Sequence, residues 1–214
     1  MVKLKPALES RGFEVAVFHA TGMGGRAFEA LAQQRAFACV FDFCSQELGN
    51  HIHGSNISAG ADRLTNAGRS GIPQLVAPGC YDLVDIVGWH DSPEKWQDNP
   101  THAHNRLLTS VILNDNQRRE VARAHSTQLS TAESQTVLLL PLGGAVNWID
   151  HVLNCTMPMG WRHFVMNCEN PALRILRCMN WIASLTMMRS QMRQWLFLMI
   201  GVNAGLYPLN TDTV

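Results

Sequence analysis

The sequence lacks an excess of either charge, paired cysteines and a long hydrophobic run. Lysine plus arginine and aspartate plus glutamate are equal, at 17 each, which disfavours binding to nucleic acid or to an anionic membrane surface. The six cysteines include no C-x-x-C pair, and no apolar segment typical of a secretory signal stands at the N terminus. The longest strongly apolar run, Trp195 to Val202, is too short to cross a bilayer. We therefore expect a cytoplasmic protein with reduced thiols and with neither nucleic acid nor a membrane as partner.

Signatures of several catalytic and metal sites are also missing. No Gly-x-Ser-x-Gly motif marks a nucleophilic serine, and no glycine-rich stretch ends in the Gly-Lys-Ser/Thr of a P-loop. His51 with His53, and His102 with His104, resemble metal ligands, but no cysteine or acidic residue stands at metal-site spacing from them. We therefore expect no bound metal. Cys44 follows an apolar run, where it is either a reactive thiol or a buried one.

A glycine-rich turn between an apolar run and a helical pattern is the most informative feature present. The run Val15 to Phe18 predicts a buried strand of a parallel sheet. Apolar residues recur at helical spacing after Arg26, which places the segment Thr21 to Arg26 at a helix N-terminus. Free N–H groups and the helix dipole there favour a phosphate or carboxylate, and a close approach of the backbone is easiest at glycine, here Gly22, Gly24 and Gly25. The alternative is a turn that merely lets helix and strand pack closely.

The order of apolar segments in residues 1–151 predicts an α/β fold. Helical patterns cover residues 3–11, 62–67 and 115–129, the first closed by Gly12 and the last capped by Asn114 or Asp115. Buried strands are predicted at residues 13–20, 38–44, 73–77 and 136–140, and residues 89–104 read as a surface loop. The pattern is that of a three-layer, Rossmann-like parallel sheet, in which ligands collect at the carboxyl ends of the strands.

Several short motifs, taken together, resemble one known family. They are FHATGMGGRA at 18–27, SAGADRL at 58–64, GIPQ at 71–74, PGCYD at 78–82, HAHN at 102–105 and LLLPLGG at 138–144. On these motifs, residues 1–151 resemble the C-terminal Rossmann-like domain of the tobamovirus-resistance-protein-like ATP-binding proteins. The sequence departs from the family pattern at Met23 and Ala61. The resemblance implies that an N-terminal domain and one strand before the first helix are missing here, which leaves the sheet incomplete and the isolated chain marginally stable.

The resemblance also implies a ligand, ATP or another nucleotide, whose phosphate binds at Thr21 to Arg26. Further candidates for this site are Ser58, Asp62, Asp82, His104 and Asn105. Each has a structural alternative. Ser58 is equally a helix N-cap and Asp62 an ion-pair neighbour of Arg63, while Asp82 either orients a ribose or a metal-bound water, or caps a helix after a turn. His104 and Asn105 form a polar pair that we expect at the ligand cleft.

A rival interpretation makes the protein a metabolic enzyme that acts on a small carboxylate or phosphorylated substrate. The glycine loop would then hold the anionic group, with His104 and Asp82 as acid and base. Association into homo-oligomers is compatible with either interpretation.

Residues 152–214 differ in composition from the rest of the chain. They hold eight of the ten methionines but only two of the 17 acidic residues, which is atypical of a globular surface. One helix is predicted here, at residues 185–201. Read in a shifted frame, residues 152–168 and 180–201 can encode acidic segments that resemble the family's ending. We therefore expect a frameshift near His151, so that residues 152–214 form a divergent tail and the chain is a fragment of a longer protein.

Overall fold

A computed structural model of the chain, which describes residues 4–141 and 173–178, has an α/β fold, as the sequence predicts. The helices, numbered in chain order, are α1 (Leu4–Glu9), α2 (Met23–Gln33), α3 (Gln46–Ile52), α4 (Asn66–Arg69) and α5 (Asp115–Leu129). The strands are β1 (Val40–Asp42), β2 (Gln74–Val76), β3 (Leu83–Val87), β4 (Thr101–Ala103), β5 (Leu108–Ile112), β6 (Thr136–Pro141) and β7 (Leu173–Cys178). A short 3-10 helix covers Glu94–Trp96.

The main sheet has the order β1-β2-β6-β7, and all its strands are parallel. The strands predicted at residues 38–44, 73–77 and 136–140 are confirmed as β1, β2 and β6. Their β-branched and leucine-rich sequences suit a parallel sheet that is covered on both faces. β7 lies in the segment predicted to be out of frame and pairs with all of β6. The helix predicted at 185–201 lies outside the described residues.

A second, antiparallel sheet with the order β3-β5-β4 corrects the prediction of a surface loop at residues 89–104. This segment contains the 3-10 helix and β4, and its Trp96 side chain is buried in the main core. The prolines and polar residues of this segment predict a loop, because β4 is a fully exposed edge strand and its sequence shows no apolar alternation.

The ends of the helices agree with the capping residues in the sequence better than with its apolar patterns. α5 has the predicted bounds, and Asn114 forms a capping box with Gln117 at its start. Gly12, with φ of 84°, follows the end of α1 as expected. The helix predicted at residues 62–67 is wrong in its start, since α4 begins at Asn66. The carbonyl of Asp62 accepts hydrogen bonds from the amide and hydroxyl of Thr65, which makes a turn there instead.

The main hydrophobic core joins both sheets to α3 and α5. Leu48 of α3 and Val121 of α5 pack there with Val76, Val84 and Leu138 from the strands. A smaller cluster lies beneath α2 and α4. Burial of these aliphatic side chains fixes the carboxyl ends of β1 and β2 next to the N-terminal ends of α2 and α3. Within the described residues, no helix has the length and apolar character that crossing a membrane requires.

The prediction of a buried strand from Val15 to Phe18 is wrong. The segment forms no helix or strand and joins neither sheet, and the Val17 residue is 52% exposed. Phe18 anchors it through edge-to-face contacts with the Phe28 and Phe37 rings at 5.7 and 5.8 Å between centroids, and the Val15 carbonyl accepts from Nζ of Lys5 at 3.2 Å. An apolar, β-branched sequence becomes a strand only beside a hydrogen-bonding neighbour, and the segment is separated from β1 by a cavity.

Candidate functional site

The glycine loop holds a carboxylate that belongs to the chain itself. Gly22, with φ of 91°, is the N-cap of α2. Its amide and that of Gly25 donate to Oε1 of Glu47, over 2.5 and 3.2 Å. Glu47 is completely buried. The loop therefore holds an anion at a helix N-terminus, but this anion is an internal side chain that uses two of the loop donors, and the predicted ligand stays a prediction.

Two glycines of this loop are required by packing. A Cβ atom at Gly25 would lie 2.0 Å from Oε2 of Glu47, and a Cβ atom at Gly24 would lie 2.0 Å from the carbonyl oxygen of His19. Both distances are far below van der Waals contact. The conformation of the loop thus accounts for these glycines without an external ligand, which is the close-packing alternative raised above.

Arg63 is the centre of a buried charge network behind the loop. Its Nε donates to Oε2 of Glu47 at 2.9 Å, and its Nη2 donates to Oδ1 of Asp42 at 2.9 Å. Its Nη1 contacts the other Asp42 oxygen and, at 3.4 Å, Oε1 of Glu29. Its Nη2 also donates to the Cys44 carbonyl. Arg63 therefore pairs with three buried carboxylates, whereas its sequence neighbour Asp62, the partner suggested by the sequence, is exposed.

Burial and charge act in opposite directions in this network. Burial alone lowers the pKa of Arg63, but the carboxylates of Asp42, Glu29 and Glu47 outweigh that effect and raise it above the ordinary value. Burial raises the pKa of Glu29, although Arg63 opposes the change. One guanidinium thus compensates three acidic groups.

The outer face of the loop carries the remaining predicted residues that the structure brings together. Thr21 and Arg26 are exposed. Nε of Arg26 donates to the Ser58 carbonyl at 3.1 Å, and the ring of His51 lies 3.2 Å from the Ser58 hydroxyl. A Cβ atom at Gly22 would lie 3.3 Å from the Ser58 backbone. We call this surface, formed by Thr21, Arg26, His51 and Ser58, the outer loop face.

Ser58 does not cap a helix. Its hydroxyl accepts a hydrogen bond from the Gly60 amide at 3.0 Å, within a turn, and the N-cap of the following helix is Thr65. The N-cap interpretation of Ser58 is therefore wrong, because the residues directly after it are not helical. The contacts of Ser58 with the loop do not test its predicted role as a ligand residue, which stays a prediction.

The other predicted site residues make contacts of a different kind. Asp82 is buried directly before β3, and its carbonyl accepts from the Leu113 amide. His104 and Asn105 are exposed in the turn between β4 and β5, where the Asn105 side chain accepts from the amides of Leu107 and Leu108. These contacts organise the antiparallel sheet. Among the described residues, no three His, Cys, Asp or Glu side chains are grouped so that they could hold a metal ion.

Sequence reasoning missed two polar pairs at the carboxyl ends of β1 and β2. The buried His125 lies 2.6 Å from the Ser45 hydroxyl through Nε2 and 2.9 Å from the Val121 carbonyl through Nδ1. Because a carbonyl only accepts, Nδ1 carries the proton and Nε2 accepts from Ser45. Burial lowers the pKa of His125 to about 4. The second pair is Cys44 and Cys80.

Cys44 and Cys80 bring two thiols together at these strand ends. A hydrogen bond from the Cys80 side chain lowers the pKa of Cys44, against the effect of burial. The same contact, with burial, raises the pKa of Cys80. Cys80 has φ of 57°, a rare conformation for a residue other than glycine. The sequence signal that could have found these pairs is the polar run directly after β1, at residues 44–47, because strand-end loops meet at one edge of a parallel sheet.

A cavity of about 460 Å³ lies beside the network. Residues 13–20 form one wall, and residues 36–44, which include β1, form the other. α1 contributes Leu4 and Leu8 to the lining, and Glu47 and Arg63 lie at the same cavity. The glycine loop and the charge network thus border an apolar space.

Comparison with known proteins identifies relatives of this domain. Residues 1–165 match the model of the C-terminal domain of an uncharacterised protein family, UPF0261. A UPF0261 protein of Brucella melitensis is 52% identical over 145 residues, which is 68% of this chain and 35% of that protein. A UPF0261 protein of Clostridium tetani is 36% identical over 140 residues, or 65% of this chain and 35% of the relative.

A more distant relative comes from a plant. The tomato ToMV resistance protein Tm-1 is 27% identical over 141 residues, 66% of this chain and 19% of that protein. The chain spans about a third of the length of the bacterial relatives named above.

Proposed function

Because the chain belongs to the uncharacterised protein family UPF0261, through its C-terminal domain, we propose that it is a nucleotide-binding α/β domain with ATP as the preferred ligand. The observation that carries the proposal is the outer loop face. There, the exposed guanidinium of Arg26 is fixed against the Ser58 carbonyl, beside the N-terminus of α2. The resemblance to ATP-binding proteins drawn from the sequence motifs supports the choice of nucleotide.

The donors of the outer loop face suit a phosphate group. A guanidinium has five N–H donors, and the contact with Ser58 uses one of them. His51 and Arg26 both contact Ser58, and the Thr21 hydroxyl lies 3.1 Å from Nδ1 of His19. Glu47 takes two loop amides for itself, so we place the phosphate outside the loop, against Arg26, rather than inside it.

Nucleotide affinity should depend on Arg26 more than on any glycine. The measurement is titration of the chain with a fluorescent ATP analogue, using the wild type and Arg26→Gln. A hydrogen bond to a charged group contributes about 1.5–3 kcal/mol, so we expect the dissociation constant to rise roughly tenfold to a hundredfold. Arg123→Gln, which removes an exposed arginine from α5, is the matched control and should leave the constant unchanged.

The proposal fails if Arg26→Gln and the wild type bind the analogue equally well. It also fails if neither this chain nor the full-length Brucella melitensis relative binds ATP. Including the relative separates a loss of affinity caused by the short chain from an incorrect ligand assignment.

The enzyme alternative receives less support from the observed contacts. His104 is exposed in a hairpin turn, and Asp82 is buried at the start of β3, so each is explained by its own local structure. A metabolite screen that found turnover abolished by His104→Ala would reverse this preference.

We also propose that residues 152–214 are read out of frame. The Brucella melitensis relative aligns over 145 residues, a length close to that of the segment 1–151, whereas the family model extends to residue 165. Sequencing the encoding DNA tests the proposal, because stop codons in the shifted frame across this stretch would exclude it.

A further inference from the structure

The loops that follow β1 and β2 are in backbone contact beside Cys44 and Cys80. The Ser45 amide, next to one cysteine, donates to the carbonyl of Gly79, next to the other, at 3.2 Å. A Cβ atom at Gly79 would lie 2.1 Å from the Phe43 carbonyl oxygen and 3.4 Å from Cα of Cys44. This close approach therefore requires a glycine, and it brings the two cysteines together at one edge of the parallel sheet.

The backbones of both cysteines are held by further hydrogen bonds. The Cys44 carbonyl accepts from Nη2 of Arg63 at 3.0 Å. The Cys80 carbonyl accepts from the Leu83 amide at 3.3 Å, where β3 begins. Cys80 has φ of 57°, a conformation that costs a residue other than glycine free energy and that is found most often at functional sites. The meeting of the two thiols is thus a property of the fold.

The two thiols are chemically unequal. A hydrogen bond from the Cys80 side chain lowers the pKa of Cys44 against the effect of burial, and the Gln46 amide adds a second donor to the same sulfur. The shared hydrogen bond and burial both raise the pKa of Cys80. Both residues are half-buried rather than enclosed. Because the thiolate is the nucleophile in thiol chemistry, Cys44 is suited to attack and Cys80 to follow with its proton.

We propose that Cys44 and Cys80 form a redox-active dithiol, which a hydroperoxide converts to a disulfide. The Cys44 thiolate attacks one oxygen of hydrogen peroxide, the O–O bond breaks, and the other oxygen leaves as hydroxide. Cys44 is then a sulfenic acid. The Cys80 sulfur attacks the Cys44 sulfur, the S–S bond forms, the S–O bond breaks, and hydroxide leaves with the Cys80 proton as water. The sulfurs lose two electrons to the peroxide, and a thiol reductant restores both.

The surroundings of the pair satisfy the requirements of such a bond. A disulfide needs Cα atoms within about 7 Å of each other, a spacing compatible with loops in backbone contact, and the hydrogen bond already joins the two sulfurs. Disulfides of cytosolic proteins are usually transient and take part in catalysis or redox sensing. Cys39 provides the comparison, because it is equally half-buried while burial raises its pKa.

Peroxide oxidation of the full chain tests the proposal. The chain is reduced with dithiothreitol, freed of it and treated with a small excess of hydrogen peroxide. Remaining thiols are then blocked with iodoacetamide in urea, and peptides are identified by mass spectrometry. The main product should be a Cys44–Cys80 linked peptide that dithiothreitol removes. Free Cys44 should disappear at least about tenfold faster than free Cys39. The same oxidation carried out in urea is the control for pairing that does not depend on the fold.

Three variants separate the roles of the two cysteines. Cys80→Ser keeps a hydroxyl donor but cannot close the disulfide, so Cys44 sulfenic acid should accumulate and be trapped by dimedone. Cys44→Ser removes the attacking sulfur and should leave Cys80 a free thiol. Cys39→Ser is the matched control and should form the Cys44–Cys80 disulfide at the rate of the wild type.

Three outcomes would overturn the proposal. In the first, Cys44 pairs mainly with a different cysteine. In the second, the Cys44–Cys80 link is no more abundant in the native chain than in urea. In the third, Cys44 is oxidised to its sulfinic or sulfonic acid while Cys80 stays a free thiol. Each of these results comes from the wild-type chain, so the decision stands even where a variant does not fold.

Discussion

Replacement of Arg63 by methionine tests the charge network that orders the glycine loop. Methionine fills a similar volume but leaves Glu29, Asp42 and Glu47 buried without their common cation. Removing one partner of a buried ion pair costs about 3–5 kcal/mol, and we expect a loss of this size in the free energy of unfolding at pH 7. Such a loss is a large fraction of the roughly 5–15 kcal/mol that stabilises a typical domain.

Urea unfolding followed by tryptophan fluorescence measures this loss, since Trp96 is buried in the main core. The matched control is Arg69→Met, which removes an exposed arginine from the end of α4 and should change the free energy by less than about 0.5 kcal/mol. If Arg63→Met does not fold, Glu29→Gln is the milder variant. Its single amide oxygen keeps one of two backbone contacts, since the Leu64 amide donates to Oε1 of Glu29 and the Asn66 amide to Oε2.

The pH dependence separates charge from packing. Burial raises the pKa of Glu29 and Arg63 lowers it, so removal of Arg63 leaves the folded-state pKa of Glu29 further above its unfolded value. Stability that comes from the protonated form of Glu29 is present at low pH and is lost as the pH rises. The deficit of Arg63→Met should therefore shrink as the pH falls from 7 toward about 4. A deficit below about 1 kcal/mol at pH 7, or one that does not change with pH, would refute the reasoning.

Three further predictions follow from the same region. Gly24→Ala should destabilise the fold by about 1–3 kcal/mol in urea unfolding through overpacking, and a stability equal to the wild type would contradict the loop geometry. Cys44 should react with iodoacetamide faster than Cys39, since burial raises the pKa of Cys39 and the neighbouring thiol lowers that of Cys44; peptide mass spectrometry measures this, and the reverse order would count against the pair. His125 has a lowered folded-state pKa of about 4, so its contribution is present above about pH 6.5 and is lost as the pH falls through about 4. A His125→Gln variant should show a shallower acid slope, and an unchanged slope would assign acid sensitivity to other groups.

Local signals in the sequence predicted much of the main sheet and α5. The capping box at Asn114 and the amphipathic pattern behind it are contained within one segment, and so are the apolar runs of β2 and β6. Elements that depend on distant partners were not predictable in this way. Val15 to Phe18 has a strand-like sequence but lacks the neighbour that would make it one, and β4 is paired although its own sequence is polar.

The same distinction between local signals and distant partners applies to the candidate site. The glycine loop and its position before α2 could be read from spacing, because both lie in one short segment. The partner of the loop could not, since Glu47 is 25 residues from Gly22 and 16 from Arg63. Nothing in the local sequence distinguishes an arginine that pairs with its neighbour Asp62 from one that reaches the end of β1.

The glycine loop is ordered before any ligand binds, because two of its amides donate to the Glu47 carboxylate. A loop that must become ordered on binding loses conformational entropy at that moment, whereas this one is already held by two amide contacts and Arg63. Binding of the proposed nucleotide at its outer surface would then be close to a rigid encounter, with a small heat-capacity change and little slowing of association. Exchange of Glu47 for an incoming anion would instead be a competition between two carboxylate or phosphate groups for the same N–H donors, which links ligand affinity to the stability of the fold.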